Sequence, residues 1–218
     1  MAGHFGLVAQ SAERPVVCGR VAGATPFGSA KFSFELTGAL IILRACLGLS
    51  CRDDALERDN TAAGLAIAGG LLGVTLIFAG GNIGNGPGWW VVVFCAGIAT
   101  AAVLLFWLIG NQITHVQEAI TIDRDTAAGW RTAGFFIGSG LILGRAVAGD
   151  WHSTQQTVSD FIAKGWPALI LWGAVLFLDI VSRPTPQRTA PNRLMFGVLP
   201  CLLFITGGVG DVIMQGPW

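Results

Sequence analysis

Long apolar runs alternate with short polar connectors along most of the chain. A helix needs about 20 mostly apolar residues to cross a bilayer. Six runs approach or reach that length: about 33–50, 61–83, 89–110, 126–149, 161–181 and 194–214. The first is the weakest, with Glu35 near one end and Arg44 inside it. A membrane barrel would instead show strands of about ten residues with strict alternation. The pattern therefore predicts an all-α membrane protein of about six transmembrane helices. NIGNGPG (82–88) reads as a tight turn, and the three prolines of RPTPQRTAPNR (183–193) break the chain between the last two runs.

The cations of the connectors set an orientation. Loops 51–60, 111–125 and 182–193 lie on one side and carry Arg52, Arg58, Arg124, Arg183, Arg188 and Arg193. Beyond residue 32, the other side has only Lys164 and the membrane-edge Arg145. The positive-inside rule makes the first side cytoplasmic, and six spans then leave both termini outside. Trp89, Trp90, Trp151 and Trp166 fall at the predicted outer boundary, and Trp107 and Trp130 near the inner one.

Composition agrees. Hydrophobic residues make up 53% of the 218 and charged residues 12%, against about 25% charge in soluble domains. Mean hydropathy is +0.64. The net charge of zero argues against a nucleic-acid partner. Glycine (31) and Trp (8) suit helices packed closely in lipid with interfacial anchors. The five cysteines (Cys18, Cys46, Cys51, Cys95, Cys201) show no CxxC spacing and read as small hydrophobes rather than redox or metal groups. His4, His115 and His152 are scattered, and no zinc-protease, phosphate-loop or nucleophile-elbow motif occurs. No enzyme activity, catalytic residue, metal or cofactor is expected, because the loops are too short for a soluble catalytic domain.

Residues 1–31 stand apart. They hold no apolar stretch of signal-peptide type. The words VAQSAERP and VAGATP read like the chance translation of a transfer-RNA gene, which implies a mispredicted start; an ordinary disordered tail is the alternative. Residues 32–218 are expected to form a single transmembrane domain.

That domain contains a repeat. TAAGLAIAGGLLGVTLI (61–77) and TAAGWRTAGFFIGSGLI (126–142) share nine of 17 positions without gaps. Each copy leads into a second apolar run, which gives tandem two-helix units near 57–115 and 122–183, with a degenerate one at 190–218. Asn60 and Asp125 precede the copies and are good helix N-caps. Gly69 with Gly73, Gly134 with Gly138, and Gly140 with Gly144 are small-xxx-small pairs that let backbones approach. Packing and capping explain the motif; a ligand role for the TAAG turn is the alternative.

DNTAAGLAIAGGLLG and DRDTAAGWRTAGFFIGSGLILG resemble the YjfL-like family of uncharacterised bacterial inner-membrane proteins, most clearly over 57–151. The resemblance implies a multi-pass protein of the bacterial cytoplasmic (inner) membrane. It brings no activity and no catalytic residue with it.

Ionisable residues inside a membrane are costly and are functional candidates. Arg131 and Arg145 lie on the glycine stripe of the second copy, 14 residues or roughly 21 Å apart. They read as snorkelling side chains, as anion-attracting gates, or as salt bridges between units. An acceptor is expected at each end, with Asp123 and Asp125 in reach of Arg131. Asp179 is expected to pair with Arg183, and Asp160 with Lys164, each one helical turn on. Asp211 lacks an obvious local partner. The functional expectation is a helix-packing scaffold or interaction subunit; the alternative is a small-solute or ion path lined by the Gly-rich helices. The expected partners are the bilayer, with a second copy of the chain or a cytoplasmic protein as candidates.

Overall fold

The computed structural model describes Arg44, residues 47–183 and residues 192–216. Contacts divide the chain into Met1–Glu35 and Leu36–Trp218, and the described residues all belong to the second unit. Segment 1–31, nearly all of the first predicted span and most of the 182–193 connector lie outside the described residues, as do Cys18 and Cys46.

Every regular element among the described residues is helical. A π-helical turn, Cys51–Glu57, is followed by α1 (Thr61–Gly81), α2 (Trp89–Thr114), the short α3 (Val116–Thr121) and α4 (Thr126–Val147). Next come α5 (Thr154–Gly165), α6 (Pro167–Val181) and a second π-helical turn, Leu194–Val198, that runs into α7 (Leu199–Met214). Local chemistry sets the starts. The Asn60 carboxamide oxygen accepts from the backbone N–H of Ala62 and Ala63, at 3.1 and 3.2 Å. The Asp125 carboxylate accepts from Ala127 at 2.8 Å. These side chains satisfy donors that a helix start leaves without partners.

Three helical stretches are long and apolar enough to cross a membrane: Thr61–Gly81, Trp89–Thr114 and Leu194–Met214. A fourth is added if α5 and α6 form one span, but they bend by 46°. The run 161–181, read from the sequence as one span, contains this break. Pro167 opens α6 at its first turn, where it costs no hydrogen bond, and cannot continue the ladder of α5.

α4 is 22 residues long, yet it is not among the stretches apolar enough to face lipid. Its place explains why. Eighteen of the 22 residues are buried, because α1, α7, α5, α6 and α2 all pack around it. A helix surrounded by protein needs no lipid-compatible surface and can carry two arginines.

Glycine brings the central helices together. A Cβ on Gly73 or Gly80 would strike the backbone carbonyl of Phe136 or Gly144. One on Gly140 would lie 2.6 Å from the Gly73 carbonyl oxygen. On its other side, α4 meets α7: a Cβ on Gly134 would lie 2.5 Å from the Cys201 Cα, and one on Gly138 2.5 Å from the Phe204 oxygen. The two small-residue pairs of α4 thus serve different neighbours, Gly140/Gly144 facing α1 and Gly134/Gly138 facing α7. Contacts advance in the same direction along all three helices, from Ala62–Gly129 to Gly80–Gly144 and from Ala127–Gly197 to Gly138–Gly208. So α1, α4 and α7 run parallel in a row with α4 in the middle.

At the end of α1 and α4 the backbones also join. The Gly149 N–H donates to Ile83 O at 3.0 Å and the Trp151 N–H to Asn85 O at 2.9 Å. The Asp150 carboxylate accepts from the Asn85 N–H at 2.7 Å. Trp90 and Trp151 meet edge to face here, with ring centroids 5.0 Å apart. Trp107 is no surface anchor: it is buried, its ring 5.5 Å from that of Phe136.

Candidate functional site

The polar centre of the fold lies where α4 begins. Arg131 is one turn into α4 and only 3% exposed. Its Nε donates to the Asp179 carboxylate at 2.7 Å, and its Nη1 to the Phe196 carbonyl at 2.7 Å. The Asp125 carboxylate is 4.0 Å from Nη2. One planar guanidinium therefore ties α4 to the end of α6 and to the π-helical turn before α7. A π-turn shifts the backbone bonding of a helix by one residue, and the Phe196 carbonyl of that turn accepts from Arg131.

Asp179 does not pair with Arg183, as helical spacing suggests. Its acidic group is taken by Arg131, while Arg183 turns to the last turn of α2, where its Nε donates to Thr114 O at 3.2 Å and its Nη2 donates to the same oxygen. Helix C-termini leave carbonyls without partners, and Arg183 fills one. Two other local expectations are also corrected. Asp160 and Lys164 form no ion pair, since no salt bridge joins them among the described residues. Asp211 has a local partner, accepting from Gln215 Nε2 at 2.6 Å.

At the opposite end of α4, Arg145 is 7% exposed. Its Nη2 donates to the carbonyls of Gln215 and Gly216, at 3.3 and 3.2 Å, just past the end of α7. Both arginines thus reach from α4 to the α7 segment, one at each end, and neither extends into open surroundings.

Beside Arg131 opens a cleft of about 370 Å³. The end of α2 and the α3 turn form one wall, with Thr114, His115 and Glu118. Asp123 and Asp125 stand before α4, and Asp179, Ser182 and Arg183 close the far side. Four carboxyl groups (Glu118, Asp123, Asp125, Asp179) and two guanidiniums (Arg131, Arg183) line the cleft. Among the described residues no group of three or more His, Cys, Asp or Glu could hold a metal ion. Past Asp179 lies a second cavity of about 20 Å³, bordered by Thr114, Thr132 and Trp107. That volume holds about one water molecule.

The sequence singled out Arg131, Arg145 and Asp179 separately, and the structure brings Arg131 and Asp179 into one pair across 48 residues. Asn60 and Asp125 sit at the starts of α1 and α4, and Asn60 also donates to Ile120 O at 2.8 Å. Ser182, Thr114 and Phe196 carried no signal in the sequence: a serine in a connector and two backbone carbonyls look the same in any chain.

A helical row with three or four stretches apolar enough to cross a bilayer is the make-up of a membrane protein. The chain belongs to the family described as Domain of Unknown Function (DUF350), whose model matches residues 34–147, more than half of the chain. No curated protein and no solved structure matches it.

Proposed function

We propose that this is a multi-pass protein of the bacterial cytoplasmic membrane, that six spans form tandem two-helix units, and that it works as a helix-packing scaffold. The observation that carries the reading is the backbone-close, parallel row of α1, α4 and α7. A row held by glycine contacts on both faces of its central helix is rigid, and rigidity is what a scaffold needs. The likeness of the two TAAG segments to the YjfL-like family supports the location. Its candidate partners are a second copy of the chain or a cytoplasmic protein.

Several details support tandem units. Asp59 and Arg124, each just before a cap, both take left-handed backbone conformations, with φ of 50° and 52°. Asn85 and Asp150 are 65 residues apart, as are Arg131 and Phe196; Phe106 and Trp172, joined by a 2.7 Å hydrogen bond between the second helices of the units, are 66 apart. Asn192 accepts from the Leu194 N–H at 3.0 Å, as the earlier caps do. Gly197, Cys201, Phe204 and Gly208 stand where α4 has Gly129, Ala133, Phe136 and Gly140. This offset is one residue longer than that from cap Asp125 to cap Asn192, and the π-helical turn Leu194–Val198 takes up the extra residue. The row ends at α7, whose outward Leu199, Leu202, Val209 and Ile213 are bulky and exposed.

The alternative, a solute or ion path, has one observation in its favour. Thr100 Oγ1, Trp107 Nε1 and Ser139 Oγ are buried without protein partners in α2 and α4, beyond the cavity at Asp179. A flux assay separates the two readings. With folded protein in liposomes, the scaffold predicts flat traces for ions and small solutes. A saturable flux of one solute, lost when Ser139 is replaced by Leu, would replace the scaffold with the path.

A further inference from the structure

α5 is a helix in its own right. Ser153 caps it, accepting from the Gln156 N–H at 3.2 Å, and the bend of 46° before Pro167 separates it from α6. Its last turn is level with the ends of α4 and α7. A Cβ on Gly165 would lie 3.7 Å from the Ala146 Cβ, and Gln215 Nε2 donates to the Lys164 carbonyl at 3.5 Å. α6 runs antiparallel to α4, with Leu171 beside Gly138 and Asp179 beside Arg131. The chain before Gly165 therefore continues outward, past the last turns of the row. Seven of the 12 residues of α5 are polar, too many for a helix inside a bilayer. Yet one side is apolar. Val158, Ile162 and Trp166, spaced by four, line up along it, while Gln156, Ser159 and Asp160 lie on another side. Gly165 is buried against α4, but the stripe beside it is not covered: Ile162 is 66% and Trp166 56% exposed.

We propose that α5 lies in the membrane–water boundary at this end of the row, with Val158, Ile162 and Trp166 set into the lipid and Gln156 and Ser159 turned to water. A helix of low overall hydrophobicity with one apolar face takes that plane. Three observations choose a lipid surface over a protein partner. The stripe runs on into the exposed Leu169 and Ile170 of α6, so one unbroken apolar face passes from the boundary helix to the helix below it. Trp89 and Trp90 are exposed at the same end, next to the junction of Asn85 with Asp150, where indoles mark a membrane boundary. Asp160 and Lys164 cancel, which leaves α5 no net charge to steer a charged partner. The inference rests on α6 crossing the membrane, and it holds for a scaffold and for a solute path alike.

The test uses the full chain in phosphatidylcholine vesicles, with the native cysteines replaced by Ala. A nitroxide is attached to Gln156→Cys, Ile162→Cys or Gly173→Cys, one at a time. Gly173 lies on the same face halfway along α6, and nothing is within 4 Å of a Cβ there. Collisions with oxygen, which concentrates in lipid, are compared with collisions with a water-soluble nickel chelate. The expected result is a graded depth. The label at 173 reads deepest, the label at 162 reads about 5–10 Å into the boundary, and the label at 156 collides mainly with nickel. The proposal is overturned if the label at 162 meets nickel as freely as the label at 156, which would put α5 in water. It is equally overturned if the label at 162 is shielded from both reagents, because then a second copy or another protein covers the stripe. A label at 156 as deep as that at 162 overturns it as well, since α5 would then be immersed on all sides. If the label at 173 is not in lipid, α6 does not cross the membrane, and the premise falls together with the inference; a deep label at 173 with an aqueous one at 162 removes the inference alone.

Discussion

Gly73→Leu and Gly138→Leu are each expected to abolish recovery of folded, monodisperse protein. In both, the obstacle to a side chain is backbone: the Phe136 carbonyl for Gly73, and the Phe204 carbonyl, 2.5 Å from a Cβ, for Gly138. Overpacking costs roughly 1–3 kcal/mol where neighbouring side chains can yield. A carbonyl inside a helix cannot turn aside, so α4 as a whole would have to leave α1 or α7, and the loss should exceed that range. Gly97→Leu and Gly207→Leu are the controls, since nothing lies within 4 Å of a Cβ at either position. They should match the parent or gain slightly, because Leu is about 1 kcal/mol better than Gly in a helix. Size-exclusion profiles and thermal midpoints in one detergent measure all four. Parent-like behaviour of both first variants would mean that the helices do not approach as described.

The second large effect concerns Arg131 and Asp179. Removing one member of a buried ion pair leaves the other charged and without its partner, which costs about 3–5 kcal/mol. Asp179→Leu and Arg131→Met should each lower the thermal midpoint sharply. The double variant should recover most of the loss, because two apolar side chains of similar volume replace the pair; only the bond to Phe196 O stays lost. Arg131→Lys should fall between, since an ammonium cannot reproduce the planar fork that reaches Asp179 and Phe196 together. If Arg131→Lys and both single variants melt like the parent, the pair does not hold the three segments together.

Local signals were legible in the sequence, and distant partners were not. The limits of α1 and the start of α2 follow from apolar length, from Asn60 and from the NIGNGPG turn, because those residues act on their own neighbours, whereas α2 runs on past 110 to Thr114. The bend between α5 and α6 was hidden by unbroken hydropathy across 161–181, although Pro167 is its cause. Asp179 has a cation one turn away in Arg183, and helical spacing makes that pair the natural expectation. The structure chooses Arg131 instead, from another helix: the buried carboxylate accepts from the buried cation that neutralises it. Gly134, Gly138, Gly140 and Gly144 announced close packing but not with which helix. Glycine states that a backbone can come near and leaves the identity of that backbone to the fold.

The parallel row is the central claim, and one disulfide experiment addresses it most directly. In a background with the native cysteines replaced by Ala, Asn85→Cys is paired with Asp150→Cys or with Asp125→Cys and oxidised in native membranes. Residues 85 and 150 adjoin at one end of α1 and α4. Residue 125 is at the far end of α4, about 33 Å away along a 22-residue helix. A disulfide needs Cα atoms within about 7 Å. The account predicts an intramolecular bond in the 85/150 variant and none in the 85/125 variant. A bond in the 85/125 variant with none in the 85/150 variant would mean that α1 and α4 run in opposite directions, and the tandem row would be wrong.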